Sequence, residues 1–220
     1  MQIQNERKKR LEKLTRKLKS LYPKPKTELI YETNFQLVVA VMLSAQCTDK
    51  KVNECTEVLF KTYKKPRDFA DAKLDVLQKE IGTIPFFRNK AKNIINSAKL
   101  IEEKFSGEVP QTVNELTQLP GVAYKTANVV LGELFEIWEG IATDTHVRRF
   151  ALRFDLTDNT DLTKISKDLE ALVPKKDWKY VNNGFVLYGR YVCPARVHDC
   201  EEHPLTKIWP PSMSRWPKAK

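Results

Sequence analysis

A lysine on the first turn of a helix, followed one helix and one return loop later by an aspartate, is a pair suited to covalent chemistry. The chain carries it as Lys125 in Leu119-Pro-Gly-Val-Ala-Tyr-Lys-Thr-Ala-Asn-Val-Val-Leu131 and as Asp144 in Ala142-Thr-Asp-Thr-His-Val-Arg-Arg-Phe150. Pro120 restrains φ, Gly121 permits a conformation that other residues resist, and a helical run starts beside Ala123, so Leu119-Pro-Gly-Val reads as a tight hairpin. Unpaired N–H groups and the positive helix end behind such a hairpin would bind a phosphate without reading base sequence. The same field, with any burial, disfavours a charged ammonium, which is one way a lysine becomes a nucleophile. Taken singly, each residue has a plainer reading. A lysine on a first turn is usually a solvated surface charge, and an aspartate before Thr-His-Val-Arg is usually an N-cap. Their joint placement behind a Pro-Gly hairpin favours the chemical one.

The elements that must position this pair are helical. Leu11, Leu14, Leu18 and Leu21 mark an amphipathic basic helix, and Phe35 to Cys47 an almost wholly apolar one. Further helices are expected at Val52 to Tyr63, Leu74 to Ile81, Ala91 to Phe105, Val113 to Leu119, Thr126 to Trp138, Thr145 to Phe154, Leu162 to Val173 and Trp178 to Val192. Only 7 Gly and 12 Pro, mostly between these runs, fit an all-α chain with short connections. At 220 residues and 41% hydrophobic content the chain can form a real core in one large or two small domains. A net charge of +10 favours a polyanionic partner without specifying the chemistry. No apolar run approaches a membrane span and no signal-peptide core is present, so a reducing, cytoplasmic location near the nucleoid is expected. The four cysteines, Cys47, Cys55, Cys193 and Cys200, are irregularly spaced and read as reduced thiols.

The hairpin and the aspartate segment together resemble the helix-hairpin-helix and Gly/Pro-rich loop with aspartate of the endonuclease III superfamily of DNA glycosylases. That family usually has Leu-Pro-Gly-Val-Gly-x-Lys-Thr-Ala and Val-Asp-Thr-His; here Ala123 replaces the second hairpin glycine and Thr143 the residue before the aspartate. The resemblance runs from the basic N-terminal helix to about Cys200. It implies a two-lobed all-α glycosylase fold, with a six-helix domain at 27–137, a second helical domain from 1–26 plus 138–220, and a DNA cleft between them. It implies a base-excision repair enzyme, monomeric, acting on double-stranded DNA that carries a damaged base or an abasic site. Oxidised pyrimidines would be excised through a Schiff base on Lys125 followed by β-elimination, with Asp144 as the second catalytic residue. Lysine at this position points to the bifunctional branch, because the adenine and mismatch-thymine branches usually carry Ser or Tyr. Pro120, Gly121, Val122, Ala123, Thr126 and His146 fall where the resemblance places DNA contacts.

A base within a duplex must be rotated out before Lys125 can reach its sugar, and the gap must be filled. Ser44-Ala45-Gln46-Cys47-Thr48-Asp49 resembles the family's Ser-Ala-Gln-x-Thr-Asp, whose glutamine enters that gap, although a helix-terminal Gln46 facing solvent is the plainer reading. In Pro85-Phe86-Phe87-Arg88, Phe86 takes the place of a wedging leucine, unless the two phenylalanines are core. Arg88 and Lys90 are expected as phosphate contacts or as a solvated charge run.

At the C-terminal end the resemblance weakens. The family spaces four cysteines as C-x6-C-x2-C-x5-C around a 4Fe–4S cluster, whereas here Cys193 and Cys200 are followed by His203 and Trp209. Two thiolates do not make such a site, so no cofactor is expected. Zinc on Cys193, Cys200 and His203, with His198 as a further donor, is the secondary expectation, and filling by Trp209, Pro210, Pro211 and Trp216 the preferred one. Two rival functions stay open: a monofunctional glycosylase for another base or mismatch, and a non-catalytic DNA-binding module using the hairpin alone.

Overall fold

The computed structural model describes residues 2–217. Among these, regular structure is entirely helical, in two compact units formed by 27–137 and by 2–26 with 138–217.

The second of these units begins with α1 (Gln2–Leu21), whose Leu11, Leu14 and Leu18 are fully buried at helical spacing. In the other unit, Thr33 and Gln36 form a reciprocal capping box that starts α2 (Asn34–Ser44). Every residue from Phe35 to Leu43 is buried, so α2 is the central helix against which α3 (Asp49–Thr62) packs. The short α4 (Pro66–Ala70) and α5 (Leu74–Glu80) lie against α6 (Phe87–Phe105), and α7 (Val113–Leu116) leads through the Leu119–Val122 hairpin into α8 (Tyr124–Phe135). The chain then rejoins α1 to build a second core from α9 (Thr145–Arg153), α10 (Leu162–Leu172) and α11 (Trp178–Tyr191). Gly184 lets α11 approach α1 closely, since a Cβ there would lie 3.3 Å from that of Leu18.

Residues 27–137 hold seven helices rather than the six expected. The addition is α4, five residues long, in which Pro66 occupies the first turn and Asp68 accepts from the N–H groups of Lys64 and Lys65. The expected 35–47 helix stops at Ser44, because Ala45 has ψ 115° and Gln46 turns left-handed at φ 56°. The helix that carries Lys125 starts two residues earlier than expected, at Tyr124, and ends at Phe135, where Glu136 adopts φ 54°. Likewise α6 starts at Phe87, following a left-handed Phe86.

Candidate active site and nucleic-acid interface

The hairpin before α8 is held from three sides. Leu119 and Val122 bury their side chains, the Val122 N–H donates 3.0 Å to the Leu119 carbonyl, and the Ser97 hydroxyl on α6 donates 2.9 Å to the Pro120 carbonyl. Gly121 sits at φ 83°, and a Cβ there would come within 2.8 Å of Asn93 Nδ2 and 3.1 Å of Met42 Cε. Both its dihedral and its surroundings therefore require glycine. Ala123 is extended, at φ −86° and ψ 169°, so a side chain is accommodated without strain where the family has its second glycine. No side chain caps α8, and the exposed Ala123 methyl offers no acceptor of its own. This leaves a helix N-terminus shaped for an anion, with Thr126 half-buried beside it. Lys125 is exposed on that first turn.

Asp144 is the N-cap of α9. Its Oδ1 accepts from both the His146 and Val147 N–H groups at 2.9 Å, while Oδ2 takes no hydrogen bond among the described residues. Capping fixes the carboxylate in place and leaves one oxygen for a developing positive charge, so the plain and the chemical readings of this residue are compatible. His146 is half-buried, with Nδ1 3.4 Å from Arg149 Nη2.

The two expected gap fillers are both exposed and both backbone-strained. Gln46 has φ 56° and Phe86 φ 59° with ψ 27°, and Phe86 is 61% exposed. Left-handed non-glycine residues are uncommon, and the dihedrals turn both side chains away from ordinary helix continuation. Phe87, by contrast, is partly buried against the core, so the two phenylalanines divide the alternatives between them. Arg88 is exposed, with its guanidinium 5.2 Å from the Phe87 ring centroid.

Lys90 requires a correction. It is buried rather than presented to phosphate, and its ammonium donates to the carbonyls of Leu43 at 2.8 Å and Ala45 at 2.6 Å. Burial pushes its pKa below the usual lysine value. Its backbone N–H meanwhile donates 3.1 Å to the Phe86 carbonyl, so Lys90 ties the Gln46 tip to the Phe86 tip. Lys90→Met should lose two charge-assisted hydrogen bonds, each worth about 1.5–3 kcal/mol, and lower the melting temperature. A melting temperature within error of wild type would show that the carbonyls find other partners.

In the other unit, Arg153 is 1% exposed and was not singled out by the sequence pattern. It donates to Cys193 Sγ at 2.8 Å, Cys200 Sγ at 3.2 Å and the Ser212 carbonyl at 2.9 Å, and lies 3.9 Å from the Trp216 ring centroid. The available signal was a pair of arginines, Arg149 and Arg153, four residues apart on the buried face of α9. Trp209 packs under Arg10 at 4.2 Å and against Phe154. One guanidinium thus joins the two sulfurs of Cys193 and Cys200. The expected zinc trio is altered: Cys193 and His203 come together with His198, and Cys200 is not part of that group.

Residues 39–175 match the family described as HhH-GPD superfamily base excision DNA repair protein. The chain belongs to this family. Endonuclease III of Synechocystis sp. is 45% identical over 90% of each chain, and that of Bacillus subtilis 43% identical over 87% of this chain and 88% of the relative. Among solved structures, a non-covalent endonuclease III–DNA complex is similar with a TM-score of 0.86 at 35% identity, covering 93% of this chain and 96% of that one. A trapped endonuclease III–DNA covalent intermediate, in an estranged-adenine complex, is similar at 0.84 and 36% identity, covering 91% and 94%. A thermostable thymine-DNA glycosylase, at 18% identity and a TM-score of 0.78, shares the HhH-GPD fold. Among the described residues no helix is long and apolar enough to cross a membrane.

Proposed function

We propose that the protein is a base-excision repair glycosylase and abasic-site lyase for oxidised pyrimidines in duplex DNA, with Lys125 as nucleophile. The observation that carries this reading is an exposed lysine on the first turn of an uncapped helix behind a glycine-dependent hairpin, in a chain of the endonuclease III family. The α8 N-terminus, with the hairpin residues 120–123 and Thr126, would hold a backbone phosphate and so place the damaged nucleotide beside Lys125. Neutral Lys125 Nζ attacks C1′, the bond from C1′ to the base breaks, and the base leaves with a proton. Ring opening at O4′ gives an iminium between Nζ and C1′. Loss of a C2′ proton then drives out the 3′ phosphate, and hydrolysis of the imine frees the enzyme. Asp144 would stabilise positive charge on the sugar as the base departs. The protein acts as a monomer within the nucleoid, and its net charge of +10 favours the phosphate backbone.

Incubation with duplex DNA carrying one oxidised pyrimidine tests this directly. The expected product is a strand nicked at the lesion with an unsaturated aldehyde on its 3′ end. Base release without a nick would support the monofunctional rival, and binding without either would support the non-catalytic one.

Gln46 and Phe86 fill the gap left by the rotated nucleotide. Gln46→Ala and Phe86→Ala should slow excision from duplex more than from single strands, where no gap opens; for Phe86 the loss should correspond to about 1–3 kcal/mol of stacking. Equal losses on the two substrates would remove them from this role.

A further inference from the structure

The segment after α11 brings a thiol and two imidazoles together. Ligand atoms of Cys193, His198 and His203 all lie within 4.8 Å of one another. His198 Nε2 and His203 Nδ1 are buried and have no hydrogen-bond partner. The opposite nitrogen of His198, Nδ1, lies 2.7 Å from the Arg196 carbonyl and donates to it, which in the neutral ring leaves the lone pair on Nε2. A ring fixed in this way by a backbone carbonyl is prepared to ligate through its other nitrogen. The two imidazoles lie with centroids 5.1 Å apart, and Trp216 packs on His198 at the same distance, which shields the group from solvent.

We propose that Cys193, His198 and His203 bind one divalent zinc-type ion, with water in the fourth position. One thiolate and two imidazoles are the donors that tetrahedral zinc takes, and the absence of a carboxylate from the group disfavours calcium or magnesium. Binding releases the Cys193 thiol proton to solvent, and the ion draws the three donors inward to bonds of about 2.0–2.3 Å. Arg153 is compatible with this arrangement. Its guanidinium has no carboxylate partner among the described residues, and an N–H donated to a ligating sulfur offsets the thiolate's negative charge from outside the metal shell.

The test uses the full-length, tag-free protein loaded with zinc or cobalt(II) and freed of excess metal by gel filtration. About one metal per chain is expected, and the cobalt form should show visible bands of a four-coordinate ion together with a sulfur-to-metal charge-transfer band. Cys193→Ser should abolish the sulfur band and Cys55→Ser, in the other unit, should keep it. His198→Asn and His203→Asn should each weaken binding by at least about 10-fold. If these variants fail to fold by circular dichroism, the wild-type cobalt spectrum still decides. Wild-type protein that retains no stoichiometric metal, or binds cobalt without a sulfur band, would overturn the proposal, as would about four irons per chain. None of these outcomes bears on Lys125.

Discussion

Borohydride should trap the wild-type protein on abasic duplex DNA as a covalent adduct, and Lys125→Ala should eliminate that adduct while leaving DNA binding largely intact. The expectation rests on where the lysine sits. Lys125 is exposed on the first turn of α8, and alanine is the strongest helix former. The N–H groups proposed to hold a phosphate belong to the backbone and survive the substitution. Loss of the amine therefore isolates the chemical step from folding and binding. Undiminished trapping in the variant would assign the nucleophile to another amine.

Asp144→Asn should slow base excision by roughly 10²–10⁴-fold with little change in melting temperature. Asparagine caps helices about as well as aspartate, so its Oδ1 can keep the two N–H bonds from His146 and Val147. Only the negative charge disappears. Asp144→Ala removes the cap as well and should cost about 1 kcal/mol of stability in addition. A small rate loss in the asparagine variant, coupled with a large stability loss in the alanine variant, would reduce Asp144 to a capping residue.

Much of this was legible in the sequence because periodicity and punctuation agree. Leucines at helical spacing marked α1, and the Leu-Pro-Gly-Val hairpin placed Lys125 on a first turn, as observed. Helix ends were less legible. The apolar run through Phe35 to Cys47 carries no break signal, since the helix is stopped by a left-handed Gln46, a residue with no intrinsic preference for that conformation. Helix α4 is too short for a period to develop, although Pro66 and Asp68 were its start signals. The roles of Lys90 and Arg153 lay beyond any local pattern. Each is a cation turned inward to satisfy groups distant in the chain, carbonyls for Lys90 and, for Arg153, two sulfurs together with the Ser212 carbonyl. Sequence charge alone reads such residues as surface.

The left-handed backbone at Gln46 and Phe86 also constrains how the protein can adapt to heat. A non-glycine residue in that region carries strain of about 1–3 kcal/mol, which glycine would relieve. A selection for thermal endurance that ignores repair should therefore accumulate glycine at both positions and yield hardier proteins with blunted tips. On the proposed gap-filling role, stability and excision place opposite demands on positions 46 and 86.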